Sequence, residues 1–295
     1  MLILCILEQG DSWFGIGSLF FIRHWTFDVR CSMLDVHLFI KGIMPGSKAT
    51  NHQKRLYRNR VQPTHLVSFT VTVKETDLSI CADKALGADA RELVFQQRSI
   101  IESFIERYPA FLKSLQPWKP PGPAPRIIGD MADAGEKAGV GPMAAVAGAI
   151  AEHVGSGLLH RCREVIVENG GDIFLKTEDP VVVGLFAGNS PLSFKFGIRI
   201  KPENNPVSLC TSSGTVGHSK SFGKSDAVSV KAKSCPLADA AATAIGNRVG
   251  SKKDIKQAMD FGRSITGVTG LVIIIGDEMG AWGDLELVPL GPKKG

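Results

Sequence analysis

The sequence predicts an α+β protein in which mixed sheets pack against helices. β-rich runs follow each other directly at 66–73 and 76–81, which indicates a hairpin. Helical patterns occur in clusters and do not alternate with single strands, which argues against a regular doubly wound sheet. With 295 residues, of which 44% are hydrophobic, the chain can bury one large core or two small ones.

The first half of the chain contains this hairpin and then three helical patterns. Residues 89–107 carry apolar side chains at helical spacing and end just before Pro109, so they predict an amphipathic helix. Proline is frequent at 116–125, which predicts a connector. Helices are predicted at 127–138 and 143–154. The second of these is so rich in small apolar residues that we expect it to be buried against a sheet.

The second half of the chain is rich in strands and contains two more helices. Strands are predicted where apolar and β-branched residues form short runs between turn residues. These strands are 164–168, 172–176, 181–187, 196–201, 226–230, 271–275 and 281–288. Helices are predicted at 237–249 and 252–261, and the sequence contains no internal repeat.

Charge and cysteine content argue neither for nucleic-acid binding nor for a zinc site. The formal net charge is +5 without a long block of lysine or arginine, so the charge does not argue for nucleic-acid binding. The six cysteines form neither a Cys-x-x-Cys pair nor a zinc-ligand spacing. Scattered cysteines of this kind are typical of reduced thiols, so we expect a cytoplasmic protein.

The N-terminal 55 residues carry little pattern. Their apolar runs, 1–7 and 15–22, are shorter than the roughly 20 residues that a membrane span requires. A signal peptide would need a basic start and a small-residue cleavage site, and neither is found. We therefore expect no membrane association. We interpret 1–55 as a poorly specified extension, disordered or spurious, that precedes a single domain at 56–290.

Two segments of this domain break at small residues, where a binding site can form. The apolar run 165–173 is interrupted by Gly170 and Gly171, which permit the positive φ angles of a tight turn. A Ser-Ser-Gly turn lies within 210–219. Its hydroxyls either cap the backbone of an ordinary turn or form, with the amides, a nest for an anion. The residues alone leave both interpretations open.

The alanine-rich segment 237–244 predicts a helix that bears one acid and one hydroxyl. Asp239 and Thr243 are four residues apart, so they lie on one face of that helix. Carboxylate and hydroxyl oxygens suit a hard cation such as Mg²⁺. On spacing alone, an acid near the helix start and a hydroxyl bonded to the preceding turn explain the pair more simply.

Together these segments resemble the ApbE superfamily, the FAD:protein FMN transferases. The resemblance consists of three motifs in order: Asn-Gly-Gly-Asp at 169–172, Ser-Ser-Gly at 212–214 and Ala-Asp-Ala-x-x-Thr-Ala at 238–244. Residues 141–152 extend it and are similar to a cytoplasmic prokaryotic branch that is common in archaea and sulfate-reducing bacteria. The resemblance covers about 57–289 and implies an ApbE-like, T-fold-related arrangement of mixed sheets and helices.

The resemblance implies that the chain binds Mg²⁺ and FAD or another flavin nucleotide, and that it transfers FMN from FAD. Asp239 and Thr243 would hold the metal together with a carbonyl of Glu168 or Asn169, and Asp239 would also serve catalysis. The acceptor would be a serine or threonine of another protein. The nucleotide site would comprise Asn169, Gly170, Gly171, Asp172, Thr211, Ser212, Ser213, Gly214 and Thr215.

Some of these residues also have simpler roles. Missing side chains at Gly170 and Gly171 would let a flavin approach the backbone, but the same glycines are explained by the turn alone. We expect Asp172 to stabilise that turn and not to act directly in catalysis.

The sequence departs from the transferases at one motif. A His-x-x-Asp-Pro-x-Thr-Gly segment precedes the metal helix of transferases, whereas 217–226 contains neither Asp-Pro nor Thr-Gly. The resemblance suggests that His218 replaces the lost histidine as a catalytic proton shuttle. A histidine in a loop is more often simply solvated, and that interpretation stays open.

A second function follows from this departure. The chain could be a non-catalytic flavin- or nucleotide-binding protein, or a sulfur carrier, that has kept the fold and lost the transferase centre. Cys210 and Cys235 flank the serine turn and the metal helix, and they would carry the sulfur. The expected partners are a small nucleotide ligand and an acceptor protein, with no nucleic acid. The sequence leaves open whether the chain forms a homo-oligomer.

Overall fold

Two antiparallel sheets and six α-helices make up the described part of the chain, which is residues 2–4, 65–214 and 223–290 of a computed structural model. The strands are β1 (Leu2–Leu4), β2 (Val67–Val73), β3 (Thr76–Ala82), β4 (Val165–Asn169), β5 (Asp172–Lys176), β6 (Val181–Leu185), β7 (Phe196–Ile200), β8 (Val207–Ser212), β9 (Ala227–Ala232), β10 (Val268–Ile275), β11 (Glu278–Gly283) and β12 (Glu286–Pro289). The helices are α1 (Gly87–Arg107), α2 (Pro109–Lys113), α3 (Arg126–Ala138), α4 (Val146–Leu158), α5 (Cys235–Gly246) and α6 (Ile255–Ser264). Short 3-10 segments at Pro142–Ala145 and Lys252–Asp254 lead into α4 and α6.

The larger sheet has eight strands in the order β11-β10-β9-β8-β5-β4-β3-β2, and the smaller sheet has the order β1-β6-β7-β12. All neighbouring strands of the larger sheet are antiparallel. This pairing brings the β4–β5 turn, the end of β8, the start of β9 and the β10–β11 turn to one edge of the sheet. We call it the turn edge, and two of the three sequence motifs lie on it.

The larger sheet lies between the helices and the smaller sheet. Alternate residues of a strand point to opposite faces. Val165 and Val167 are therefore buried among the helices, while Ile166 is buried against the smaller sheet. Because both faces are covered, these strands appear in the sequence as continuous apolar runs. None of the helices in the described ranges combines the length and apolar character that crossing a bilayer requires.

The α+β prediction is confirmed, and the hairpin, the connector and the helices occur at or near the predicted residues. The strand β8 is not predicted, because serine, cysteine and threonine interrupt its apolar residues and it runs into the serine turn. The single strand predicted at 281–288 is wrong, since β11 and β12 belong to different sheets. Gly283, with φ of 95°, makes this break, and a Cβ there would lie 2.2 Å from the Thr269 carbonyl oxygen.

The helix α4 crosses α5 at Gly148. A Cβ on Gly148 would lie 2.4 Å from the carbonyl oxygen of Cys235 and 2.9 Å from Cβ of Asp239, so the close approach requires glycine. One turn further along α4, the Oε2 atom of Glu152 accepts the backbone N–H of Cys235 at 2.6 Å. The side chain of Ser234, the N-cap residue of α5, makes no capping bond. Glu152 therefore caps α5 from a neighbouring helix.

We expect Glu152→Ala to destabilise the protein by about 1–2 kcal/mol, because the first N–H of α5 loses its acceptor. Glu152→Gln should retain most of the stability, since the amide oxygen can still accept that bond. Urea unfolding of the three proteins at pH 7 measures the difference. If Glu152→Ala unfolds at the same urea concentration as the wild type, the cap does not contribute.

Candidate functional site

The glycine pair forms the turn between β4 and β5. Asn169 pairs directly with Asp172, so only two residues connect the strands. Gly170 has φ of 67° and Gly171 has φ of 116°, and short hairpin loops favour such positive angles. The N–H of Gly171 donates to Oε1 of Glu168 at 3.0 Å. The turn alone therefore accounts for both glycines.

The same turn also leaves room for a ligand. A Cβ on Gly170 would meet no heavy atom within 4 Å, so the space beside this residue is open. The expectation that a flat group approaches the backbone at this point is therefore compatible with the local packing. Asp172, which follows the glycines, is buried in contrast and is 7% exposed.

The first turn of α4 links this strand end to α5. The side-chain amide of Asn169 donates to the carbonyl oxygen of Ala147 at 3.0 Å. The next backbone N–H, that of Gly148, donates to Oδ2 of Asp239 at 2.9 Å. The glycine turn and the acid of the alanine-rich helix are thus both bonded to the first turn of α4.

Asp239 and Thr243 form the least buried strip of an otherwise buried helix. Both are half-buried, whereas the alanines on either side of them are fully buried. Their spacing places the carboxylate and the hydroxyl one turn apart on the same face. The alanines fix the helix against the sheet, and the Asp239 carboxylate is directed toward the first turn of α4.

The two acids of the candidate site are Asp172 and Asp239, and burial raises the pKa of both. Burial raises the pKa of Asp172 to about 7, the negative charge of Glu168 adds to the effect, and the Cys210 thiol opposes it. Burial also raises the pKa of Asp239 well above its usual range, and the charge of Asp172 is the next cause. The N–H of Gly148 favours the ionised form of Asp239 and opposes that shift.

The donor set at this point fits a divalent cation. Asp239 and Thr243 contribute a carboxylate and a hydroxyl, which hard cations prefer. Within the described ranges, neither Asp172 nor Asp239 forms an ion pair with a lysine or arginine. No group of three histidine, cysteine, aspartate or glutamate side chains is arranged as a metal site in the same ranges. A cation would therefore depend on hydroxyl, backbone or ligand oxygens as well.

The carbonyls predicted as a third ligand lie on β4. Glu168 and Asn169 pair with Ile173 and Asp172 of β5 on one side and with Ser79 and Leu78 of β3 on the other. In the described structure the backbone group that bonds to Asp239 is the N–H of Gly148 at the start of α4. A carbonyl ligand from β4 stays a prediction.

The serine turn lies directly beside the glycine pair. The N–H of Thr211 donates to the carbonyl oxygen of Gly171 at 3.2 Å. Because Cys210 pairs with Asp172, the alternation of β8 places Ser212 on the same face of the sheet as Asp172. Ser212 is half-buried at the end of the strand. Of the hydroxyls on β8 near this edge, that of Ser212 lies on the face of the sheet that carries Asp172.

Other members of this motif are used within the fold. The hydroxyl of Thr211 faces the smaller sheet, where it is 2.7 Å from the hydroxyl of Ser229. The N–H of Gly214 donates to the carbonyl oxygen of Ser225 at 2.9 Å. Ser213 is buried and has a partner of its own. Contact between these three residues and a phosphate stays a prediction, and Thr211 in particular is not brought to the face that carries Asp239.

Two predicted residues, Thr215 and His218, lie outside the described residues. The residues that flank this stretch are close together, because a Cβ on Gly214 would lie 2.3 Å from the carbonyl oxygen of Gly223. The predicted role of His218 in proton transfer is not tested by the fold.

Cys210 and Cys235 lie beneath the two acids and are fully buried. The Cys210 thiol donates to the Cys235 carbonyl oxygen at 3.5 Å, and the Cys235 thiol donates to the carbonyl oxygen of Ile173 at 3.2 Å. Burial raises the pKa of both thiols. Protonated thiols without access to solvent are poor nucleophiles, so this arrangement is typical of packing and not of sulfur transfer.

The start of α4 is the part of the site that sequence reasoning missed. The segment around Gly148 is predicted as a core helix and as part of the family resemblance, with no role in the site. It nevertheless supplies the amide that holds Asp239 and the carbonyl that binds Asn169. A signal was available in Glu152, a charged residue in an otherwise apolar helical segment. Such a residue is retained in a core only with a partner.

Comparison with known proteins gives one family. The model of a protein family described as "AbpE bacteria" matches residues 58–281. A UPF0280 protein of Methanococcus aeolicus is 43% identical over 226 residues, which is 75% of this chain and 91% of that protein. A UPF0280 protein of Methanocella arvoryzae is 43% identical over 217 residues, which is 73% of this chain and 88% of that protein.

Among solved structures, the apo form of the flavinyl transferase ApbE of Pseudomonas stutzeri is similar to this chain with a TM-score of 0.47 and 13% identity. The similar region covers 74% of this chain and 94% of that chain. A likeness at this level does not bear on chemistry.

We expect Asp172 to make the metal-free protein less stable as the pH rises. The unfolded chain loses this proton near pH 3.8, whereas the folded protein keeps it up to about pH 7. The stabilisation by the proton is therefore complete below about pH 4 and is lost as the pH rises through about 7. The stability of Asp172→Asn relative to the wild type should consequently increase by roughly 1–3 kcal/mol from pH 5 to pH 8. Urea unfolding in EDTA at these two pH values measures the increase, and an equal difference at both would contradict the raised pKa.

Proposed function

The chain belongs to the protein family described as AbpE bacteria, and we propose that it binds a divalent cation, Mg²⁺ in the first place, together with a flavin nucleotide. We further propose that it transfers FMN from FAD to a hydroxyl of an acceptor protein. Family membership confirms the resemblance that the motifs indicate. The activity itself is a proposal, supported by the motifs and by the geometry of the described residues.

The observation that carries this proposal is the hydrogen bond from the Gly148 amide to Asp239. It ties the acid of the alanine-rich helix to the helix start that also binds Asn169 beside the glycine pair. Two hydrogen bonds thereby link three segments that are far apart in the sequence. A cation held at Asp239 would lie next to any nucleotide seated on the glycine turn.

The residues of this candidate site have distinct roles in the proposed reaction. Asp239 and Thr243 would hold the cation, which when bound supplies positive charge to the pyrophosphate of FAD. The open space beside Gly170 would admit the nucleotide against the backbone of the turn. The amide of Gly148 fixes the carboxylate of Asp239 and so sets where the phosphates can lie.

The proposed transfer exchanges one phosphorus–oxygen bond for another. The hydroxyl oxygen of the acceptor forms a bond to the phosphorus of the FMN half, and the bond from that phosphorus to the AMP half breaks. AMP leaves, and the proton of the hydroxyl passes to a base. His218 is the base that the sequence suggests, and it lies outside the described residues.

The alternative function is that of a protein that binds a flavin without catalysis. The two functions can be distinguished by one reaction product. Only the transferase releases AMP from FAD. No observation favours a sulfur carrier, because Cys210 and Cys235 are fully buried.

The first test is calorimetric titration with Mg²⁺ and with FAD. We expect Asp239→Asn to weaken Mg²⁺ binding by roughly 100-fold or more, since a charged ligand is lost, and to abolish the effect of Mg²⁺ on FAD affinity and on AMP release. Asp260→Asn is the control, because this acid of α6 lies at the surface, where it pairs with Lys256 and Arg263. If Asp239→Asn binds Mg²⁺ and FAD as the wild type does, the proposed metal role is wrong.

The second test fills the open space beside the glycine turn. Gly170→Asn should weaken FAD binding by at least about tenfold and leave Mg²⁺ binding unchanged, because asparagine tolerates a left-handed backbone but its side chain would occupy the nucleotide space. Gly139→Asn is a matched control. Gly139 has φ of 72°, and a Cβ on Gly139, like one on Gly170, would meet no heavy atom within 4 Å. Equal FAD affinity in both variants would show that the nucleotide does not approach the turn.

A further inference from the structure

Asp172 carries a buried carboxylate oxygen that lacks a partner. Its side chain is 7% exposed, and within the described ranges its Oδ1 atom accepts no hydrogen bond. Burial of an ionised oxygen without a donor is costly, so native structures rarely retain one without a reason. The expected role in stabilising the turn does not explain this atom, because the turn amide of Gly171 bonds to Glu168 instead.

The rest of the Asp172 side chain is fixed in place. Asp172 pairs with Cys210 across the β5–β8 ladder, so their side chains lie side by side on the face of the sheet that the helices cover. Cys210 is itself held in the core beside the first turn of α5, where its thiol reaches the Cys235 carbonyl. The free oxygen therefore has a defined position on the face of the sheet that α4 and α5 cover.

On that face Asp172 meets Asp239. The charge of Asp172 disfavours ionisation of Asp239, and Asp239 lies one turn beyond Cys235, whose carbonyl the Cys210 thiol reaches. The N–H of Gly148 donates to Oδ2 of Asp239 at 2.9 Å and favours its ionised form. Neither carboxyl forms an ion pair with a lysine or arginine of the described ranges, so a cation held between the two acids would offset the unfavourable burial of their charges.

We propose that Asp172 is a direct ligand of the divalent cation and that Asp172, Asp239 and Thr243 together form its protein site. This inference rests on the proposed function and adds a residue to its metal site. Two carboxylates match the charge of one divalent cation, and the hydroxyl adds a neutral oxygen. Water and the phosphates of a nucleotide would supply the remaining ligands.

This site has a consequence that a site with Asp239 alone would lack. Because the protein itself neutralises the cation, binding does not require the negative charge of a nucleotide. The cation should therefore bind to the free protein, before FAD. The alternative explanation of the acid pair is a single proton shared between two carboxyls, and that arrangement needs no cation.

The experiment is calorimetric titration of the flavin-free protein with MnCl₂ at pH 8, together with thermal unfolding in EDTA and in Mn²⁺. We expect Asp172→Asn to lower Mn²⁺ affinity by roughly 100-fold or more. The variant should melt at a higher temperature than wild type in EDTA, because the repulsion is relieved, and should lose the rise in melting temperature that Mn²⁺ gives the wild type. A residue that only stabilised its turn would lower the melting temperature in both conditions.

Glu164→Gln is the matched control, because Glu164 is a buried acid just before β4, at the opposite end of that strand from the glycine turn. It should bind Mn²⁺ as the wild type does. Asp172→Ser serves as a second variant if Asp172→Asn does not fold. Wild-type affinity in a folded Asp172 variant would overturn this inference and favour the shared proton, while the proposed function stands. Absence of Mn²⁺ binding by the flavin-free wild-type protein would also overturn this inference. Binding of Mn²⁺ only in the presence of FAD would then leave the proposed function standing.

Discussion

The crossing of α4 over α5 at Gly148 is the contact on which the candidate site depends. Glycine permits an approach that leaves 2.4 Å between a would-be Cβ and the Cys235 carbonyl oxygen. At this distance the Gly148 amide reaches Asp239, and Glu152 one turn later reaches the first N–H of α5. A larger residue would separate the helices, and the acid would lose both its position and the donors that favour its ionised form.

The buried acids follow from the same geometry. The hydrogen-bond register of the larger sheet sets Asp172 opposite Cys210, and the helix crossing then brings Asp239 above them. Uncompensated carboxylates are destabilising in a core, so their presence beside an open turn is better explained by function than by folding. Burial of these carboxylates therefore lowers the free energy of unfolding of the metal-free protein, and a bound cation would offset that loss.

Local patterns in the sequence were sufficient for most elements, because a turn, a helix or a buried strand depends on residues near one another. The glycine pair predicted its hairpin turn, and the alanine-rich segment predicted α5. The contacts that complete the site are long-range, as with Glu152 and Cys235. A charged residue in an apolar helical segment indicates that a partner exists, but no local pattern identifies that partner. The strand β8 was not predicted, because its serines and threonine interrupt the apolar pattern. Its pairing with β5 and β9 compensates for this weak strand pattern, and that pairing is also long-range. The extension at 1–55, the cytoplasmic location and the role of His218 stay predictions.

The position of a bound metal ion decides whether the two carboxylates form a cation site. Crystals of the protein grown with Mn²⁺ and without flavin would be measured at a wavelength where manganese scatters anomalously. If both acids hold the cation, we expect one strong anomalous peak beside the first turn of α4. This peak would lie within coordination distance of the carboxylates of Asp239 and Asp172. A map without a peak at this position, at a saturating concentration of Mn²⁺, would contradict it.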